Sequence, residues 1–233
     1  MTKELIQEMF KMQEQFNELA VPSWRDKNLD WETAILVETS ELLESLDYKW
    51  WKNGEIDWDN AKVELVDVWH FFMSYIMVNT TSLQQEQIID YIIRDFNDSD
   101  ELEKYDNKAL TTISKYFIKN LLDNEDFSRE CIFSDINSVA RNFNSMMKIL
   151  DFDYTSLYKA YVVKNTLNHF RKSNGYKEGT YIKEWFGKED NVHAYQIANE
   201  LKINENFVKY LENSLYNVYQ EVKEQNQIQN TGE

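Results

Sequence analysis

The amino-acid sequence predicts an all-α protein, a compact multi-helix bundle, from its composition and its hydrophobic periodicity. One proline and five glycines occur among 233 residues, and these residue types usually interrupt helices and form turns. Hydrophobic residues make up 42% of the chain and aromatic residues 15%, which is enough to fill a sizeable core. We therefore expect long helices in a single domain over residues 1–223, with a disordered tail over 224–233.

The first two helices are predicted from periodicity and from their end signals. Pro22 ends the first helix, and the second runs from Trp31 to about Lys52, with Asp30 as its N-cap and Asn53 and Gly54 at its end. Over residues 3–20, apolar residues recur at steps of three and four: Leu5, Ile6, Met9, Met12, Phe16 and Leu19.

A third helix is predicted from Trp58 to about Val78, with Asp57 as its N-cap. The short link at 53–57 predicts that the second and third helices are antiparallel neighbours. Further helices are predicted near 84–96, 107–122, 132–150, 153–172, 191–201 and 205–221. Asn174 and Gly175 suit the end of the helix at 153–172, the polar and aromatic segment 175–190 is predicted as a functional loop, and Asn204 is predicted as a cap.

The charge and the cysteine content exclude several classes of function. A net charge of −16 argues against nucleic acid or an anionic membrane as a partner, because a polyanion would be repelled at long range. The single cysteine, Cys131, excludes an internal disulfide, and no stretch approaches the ~18 consecutive apolar residues of a membrane span. The first residues lack the pattern of a secretion signal, so we expect a cytoplasmic, soluble protein.

Two pairs of acidic residues are the main chemical signal in the sequence. Glu38 and Glu41 form an E-x-x-E pair on the second predicted helix, and Glu64 and Asp67 form an E-x-x-D pair on the third. Residues three apart share a helix face, so two packed helices would bring four carboxylates together. Oxygen ligands of this kind select Mg²⁺ or Mn²⁺, which usually bind substrate phosphates.

The alternative for these acids is a solvated helix face, which is the usual setting of a single E-x-x-E pair. Their flanks, AILVETSELLESL and VELVDVWHFFM, are strongly apolar and favour the metal site, because unpaired charges beside buried surface are costly. His70 follows Asp67 by three residues, as in di-iron bundles, but the chain has no second such motif. We expect His70 to be structural or to contact substrate.

A cationic strip lies a hundred residues downstream. Lys164, Asn168 and Arg171 share one helix face, and Tyr176 and Lys177 follow just past the predicted helix end. Arg and Lys suit phosphate oxygens, and an Asn amide can donate to them without adding charge. The alternative is a basic helix C-terminus that complements the helix dipole, which would explain Arg171 but not the residues that follow it.

Four segments together resemble the dimeric all-α dUTPases, a branch of the all-α nucleoside triphosphate pyrophosphatases. The acidic motif is common to the whole group, whereas the last segment and the chain length favour the dUTPase branch. These segments are MQEQFN, ETSELLESLDYKWWKN, KVELVDVWHFF and KNTLNHFRKSNGYKEG.

The resemblance implies an active site between the helices of a four-helix core and a homodimer. It implies that the four acids hold two or three Mg²⁺ ions, with Mn²⁺ as an alternative, around a triphosphate. Glu41 would position and deprotonate the attacking water. The phosphates would be bound by Lys164, Asn165, Asn168, Arg171, Tyr176 and Lys177, and the base and sugar by Gln13, Asn17, Trp50, His70 and Phe71.

The expected activity is hydrolysis of dUTP, and of dUDP, to dUMP. One alternative is the same chemistry with another base specificity, such as dCTP or a broad house-cleaning range. Another is a non-enzymatic acidic helical protein that imitates the charge of nucleic acid. That second alternative needs no Mg²⁺ and leaves the strip from Lys164 to Lys177 unexplained.

Overall fold

The all-α fold is confirmed. The structure is a computed structural model that describes residues 2–49, 51–123, 132–204 and 206–231, and their side chains apart from 132–135 and 227–231. The chain forms two compact units, Met1–Leu157 and Tyr158–Glu233, and the single domain predicted over residues 1–223 stays a prediction. Among the described residues, no helix combines the length and the apolar character needed to cross a membrane.

The first unit contains six helices in its described residues and the start of a seventh, with a single 3₁₀ turn at Trp24–Asp26. The seventh, α7, runs into the second unit. Every helix predicted for this unit is present, because its apolar periodicity matches the buried face. The helices are α1 (Thr2–Ala20), α2 (Trp31–Glu44), α3 (Trp58–Asn79), α4 (Ser82–Asp98), α5 (Asn107–Leu122), α6 (Ile132–Ile149) and α7 (Tyr154–Ser173).

Helix α2 is shorter than the sequence predicts, ending at Glu44 rather than near Lys52. Leu46 is buried, but Asp47 adopts a positive φ of 49° and turns the chain away. The carbonyl of Leu46 accepts a hydrogen bond of 2.8 Å from Asn107, on α5. That partner is 61 residues away, so no local pattern could have revealed the early end.

Helices α2 and α3 pack antiparallel, as predicted. Asn60 near the start of α3 donates to the Ser45 hydroxyl at 2.8 Å, and at the other end Trp31 lies 6.2 Å from Phe71 between ring centroids. Asp30 and Asp57 cap the two helices, as the sequence predicts. The Asp30 carboxylate accepts a hydrogen bond from the backbone amide of Thr33, and the Asp57 carboxylate accepts one from the backbone amide of Asn60. This pairing faces the two acidic motifs toward each other.

Helix α3 is the centre of the first unit and contacts α1, α2, α4 and α6. Its second half is buried nearly all round, including Trp69, Phe72 and Met73. The Trp69 ring stacks on Phe143 of α6 at 5.0 Å, and Phe72 meets Phe117 of α5 edge to face at 5.8 Å. A central helix with this much packing gives the acidic residues at its first half a rigid base.

The second unit contains the rest of α7, a hairpin of β1 (Glu184–Trp185) and β2 (Lys188–Glu189), and the helices α8 (Asp190–Glu200) and α9 (Phe207–Thr231). The hairpin lies in the segment 175–190, which was predicted as a polar and aromatic loop. The rings of Phe170, Tyr181, Trp185 and Tyr219 contact one another and form its aromatic core.

The last helix differs in its bounds from the one predicted near 205–221. The side chain of Asn204, predicted as a cap, accepts from the amide of Asn206, and α9 begins at Phe207 rather than at 205. Helix α9 also continues past residue 221, to Thr231, into the segment 224–233 that was predicted as a disordered tail. Residues 232–233 lie outside the described part of the chain.

Candidate functional site

Three of the four predicted acidic ligands form a cluster in the first unit. Carboxylate oxygens of Glu38, Glu41 and Glu64 lie within 4.8 Å of one another. Glu38 and Glu64 are half-buried and Glu41 is exposed, so the cluster opens to solvent on the Glu41 side. The antiparallel packing of α2 and α3 brings the two motifs together, as the sequence predicts.

This cluster fits a hard divalent cation. Like charges about 4 Å apart repel by roughly 4 kcal/mol at an effective dielectric constant of 20, and solvent lowers this for an exposed group such as Glu41. Leu42 and Leu65, next in sequence to two of the acids, are fully buried, so the helices cannot rotate the carboxylates far apart without exposing core. The donor set consists of oxygen atoms alone, which suits Mg²⁺ or Mn²⁺.

Asp67 lies one turn beyond Glu64 on α3 and is half-buried. It is not in the group whose oxygens approach within 4.8 Å. Its assignment as a fourth metal ligand therefore stays a prediction.

The two amides expected to read the base lie in a buried network between α1 and α3. Gln13 is 3% exposed and Asn17 is 5% exposed. The Gln13 amide donates to Asn17 Oδ1 at 2.9 Å and to the Ser74 hydroxyl at 3.2 Å, and Asn17 donates to the same hydroxyl at 2.9 Å. His70, also buried, bonds Gln13 Oε1 through Nδ1 at 2.8 Å. Ser74 was not among the predicted site residues, although it lies one turn after His70 and therefore on the same face of α3.

The aromatic residues predicted to flank a sugar are described only in part. Phe71 is half-buried beside Trp31, which in turn meets Trp24 edge to face at 5.7 Å. Trp31 and Trp24 were not predicted at this position, because only the tertiary packing brings them there. Trp50 lies outside the described residues.

In the second unit, the predicted phosphate residues differ in what they contact. Lys164 and Asn168 are half-buried on one face of α7, whereas Tyr176 and Lys177 are exposed beyond its end. Asn165 is 2% exposed and donates to the Tyr161 hydroxyl at 3.2 Å, which favours a structural role over phosphate binding.

Arg171 forms a buried ion pair that the sequence did not reveal. Its Nε and Nη2 atoms donate to the two carboxylate oxygens of Asp190 at 2.8 and 2.6 Å, and Asp190 is fully buried. The Tyr181 hydroxyl donates to the same carboxylate at 2.8 Å. Burial, then the bond to Asp190, raises the pKa of Tyr181, so this phenol stays a neutral donor. Arg171 is thus held in one orientation.

The end of α7 matches the predicted Asn-Gly signal. Asn174 donates from its side chain to the carbonyl of Phe170 at 2.8 Å, and Gly175 has a φ of 89°. The amide of Tyr176 then closes the helix by donating to the carbonyl of Arg171 at 3.0 Å. This turn fixes where Tyr176 and Lys177 leave the helix.

Comparison with known proteins places these features in one family. A family model described as dUTPase matches residues 5–176, well over half of the chain. The match includes all four predicted acidic ligands and the strip from Lys164 to Tyr176, while Lys177 and Asp190 lie beyond it. No curated protein matches the chain. The helical fold, the acidic cluster and this match agree, and the chain belongs to the all-α dUTPase family.

Proposed function

We propose that this protein is a Mg²⁺-dependent dUTP diphosphatase. It hydrolyses dUTP to dUMP and pyrophosphate, and dUDP to dUMP and phosphate, by breaking the bond between the α- and β-phosphates. The observation that carries the proposal is the approach of the Glu38, Glu41 and Glu64 oxygens to within 4.8 Å of one another, in a chain of the dUTPase family.

Glu38, Glu41 and Glu64, with Asp67 beside them, would hold two or three Mg²⁺ ions. When bound, the ions offset the charge of the triphosphate and lower the pKa of an attacking water. Glu41 accepts the proton of that water, and its exposure at the edge of the cluster lets the water reach it. The packed helices hold the three carboxylates in place before substrate arrives, so little reorganisation is needed.

Lys164, Asn168, Tyr176 and Lys177 bind the phosphate oxygens and stabilise the charge that develops on the leaving group. Arg171 contributes from a fixed orientation, because two of its nitrogen atoms are held by Asp190. Asn165 is proposed here only as a support for the strip, through its bond to Tyr161.

Asn17 and Gln13 read the uracil edge, since an amide both donates and accepts hydrogen bonds. Phe71 and Trp50 pack against the deoxyribose, where apolar contact at C2′ disfavours a ribose hydroxyl. His70 supports the base site through its bond to Gln13. The family resemblance further implies a homodimer, which light scattering on the purified protein would test.

Glu41→Gln tests this proposal most simply. The variant keeps the shape of the side chain but cannot accept the proton, so we expect folded protein with dUTP turnover at least about a hundredfold slower. The matched control is Glu44→Gln on the same helix, because Glu44 pairs with Lys49 and is not part of the cluster. Pyrophosphate release with dUTP, with and without Mg²⁺, is the assay. Equal turnover of the Glu41→Gln variant and the wild type would remove Glu41 from the mechanism.

A nucleotide panel with the same detection addresses base specificity. dUTP is expected to be hydrolysed faster than dCTP, dTTP and UTP. Comparable rates across the panel would favour a broad house-cleaning pyrophosphatase instead.

A further inference from the structure

The Ser74 hydroxyl is the hub of the buried amide network. It donates to the backbone carbonyl of His70 at 3.0 Å and accepts from both Gln13 and Asn17. A hydroxyl has one hydrogen and two lone pairs, so these three bonds use its whole capacity. Ser74 is 0% exposed, and water does not compete for these bonds.

The backbone carbonyl sets the direction of every bond in the network. A carbonyl can only accept, so the Ser74 hydrogen points to His70, and the Ser74 lone pairs face the amide NH₂ groups of Gln13 and Asn17. Rotating the Asn17 amide by 180° would place its oxygen against the Ser74 oxygen and its nitrogen against the Gln13 nitrogen. Both hydrogen bonds would be lost in a buried site, where unmade bonds are costly.

A fixed amide distinguishes uracil from cytosine. In the part of the chain that the structure describes, the bonds of Asn17 leave one Nδ2 hydrogen and one Oδ1 lone pair for a further partner. Uracil offers an O4 acceptor beside an N3–H donor, which matches this pair. Cytosine offers an N4 donor beside an N3 acceptor, so in the same position it meets donor with donor and acceptor with acceptor. Only a rotated Asn17 amide would accept cytosine.

We propose that Ser74 is a positioning residue that locks the amide orientation of Asn17 and thereby sets the preference for uracil over cytosine. This inference rests on the proposed function, in which Asn17 reads the base. Ser74 itself does not touch the nucleotide.

The test compares kcat/KM for dUTP and dCTP in wild type and Ser74→Ala. Removing the hydroxyl lets the Asn17 amide rotate, so the ratio of dUTP to dCTP is expected to fall about tenfold or more, the effect of losing one or two buried hydrogen bonds. The matched control is Ser114→Ala, because Ser114 is equally buried and bonds the carbonyl four residues before it, but holds no amide. Its ratio is expected to stay at the wild-type value.

An unchanged ratio in folded Ser74→Ala would overturn the inference while leaving the proposed function intact. A wild-type protein that hydrolyses neither nucleotide would instead overturn the proposed function. A general structural defect would lower both rates together and keep the ratio, so it too counts against a positioning role.

A measurement on the wild type decides the matter if Ser74→Ala does not fold. The same bond directions require His70 Nδ1 to carry a hydrogen, because Gln13 Oε1 can only accept. Nitrogen NMR near pH 8 should show His70 protonated at Nδ1, and His193 provides an internal contrast, since its Nε2 donates to the carbonyl of Trp185 at 2.8 Å. A His70 ring without hydrogen on Nδ1 would mean that the Gln13 amide donates to His70, so Gln13 would not donate to Asn17 and Ser74, and the network proposed to fix Asn17 would be overturned.

Discussion

Replacing Asp190 with asparagine removes the charge that holds Arg171 and leaves the guanidinium uncompensated. Asp190 is fully buried and the Arg171 side chain is 15% exposed, so water can replace the lost partner only in part. Breaking a buried ion pair from one side costs about 3 to 5 kcal/mol, and the partial exposure of Arg171 favours the lower end. The introduced amide would also place a donor against the donors of Arg171.

The assay is urea denaturation. Unfolding is monitored by far-UV circular dichroism and by fluorine NMR of protein labelled with fluorotryptophan. Trp185 is the single tryptophan in the sequence of the second unit and packs against the aromatic core, so its resonance reports on this unit alone. Asp190→Asn is expected to lose about 3 kcal/mol in the unfolding free energy of the unit.

The neighbouring Glu189→Gln is the matched control. Glu189 pairs with Lys183 at 3.1 Å, but both side chains are about half exposed, and such surface pairs contribute only about 0 to 1 kcal/mol. The double variant Arg171→Met with Asp190→Leu should recover most of the loss, because no charge is left without a partner. Equal effects of Asp190→Asn and Glu189→Gln would refute the buried pair as a stabilising element.

Three further outcomes are expected from single changes in the second unit. Gly187→Ala should lower the free energy of unfolding by about 1 to 2 kcal/mol, because its φ of 80° is left-handed, while among the described residues other than its chain neighbours no heavy atom lies within 4 Å of an added Cβ. Gly175→Ala should lower the free energy of unfolding by about 1 to 3 kcal/mol more than Gly187→Ala does, because the added Cβ would lie 2.0 Å from Thr180 Oγ1. Thermal unfolding of the two variants measures the difference. Burial, and then the charge of Lys172, lower the pKa of His169 in the folded protein below the ordinary 6.5. As pH falls through about 6.5, the unfolded chain therefore binds this proton more readily than the folded protein does, and the free energy of unfolding decreases. His169→Gln should flatten this acid dependence, and an unchanged pH profile of unfolding would contradict the assignment.

The sequence was sufficient for the helices whose apolar residues follow a regular spacing. The acidic motifs could also be predicted to meet, because Asp30 and Asp57 mark the helix starts and the link between α2 and α3 is short. The early end of α2 could not, since it depends on Asn107 of α5 reaching back to Leu46. Local patterns carry no information on such distant partners.

The site shows the same division. Glu38, Glu41 and Glu64 were predicted to lie together from their spacing and their apolar flanks, whereas Asp190 stands 19 residues from Arg171 in a segment predicted as a polar and aromatic loop. The burial of Asn165 on α7 could not be predicted either, because its residue type suits phosphate and its exposure depends on tertiary packing. The ion pair of Arg171 with Asp190 and the burial of Asn165 both depend on tertiary contacts, which the sequence pattern does not show.

The central claim is that the cluster of Glu38, Glu41 and Glu64 binds divalent metal for dUTP hydrolysis. The most direct measurement is the initial rate of dUMP formation from dUTP as Mg²⁺ is titrated into metal-free protein, in wild type and in Glu64→Gln. The rate should rise from zero and saturate with Mg²⁺, and the variant should need at least about tenfold more metal, as for the loss of one ligand. A rate that is independent of Mg²⁺, or a Mg²⁺ dependence that Glu64→Gln leaves unchanged, would contradict it.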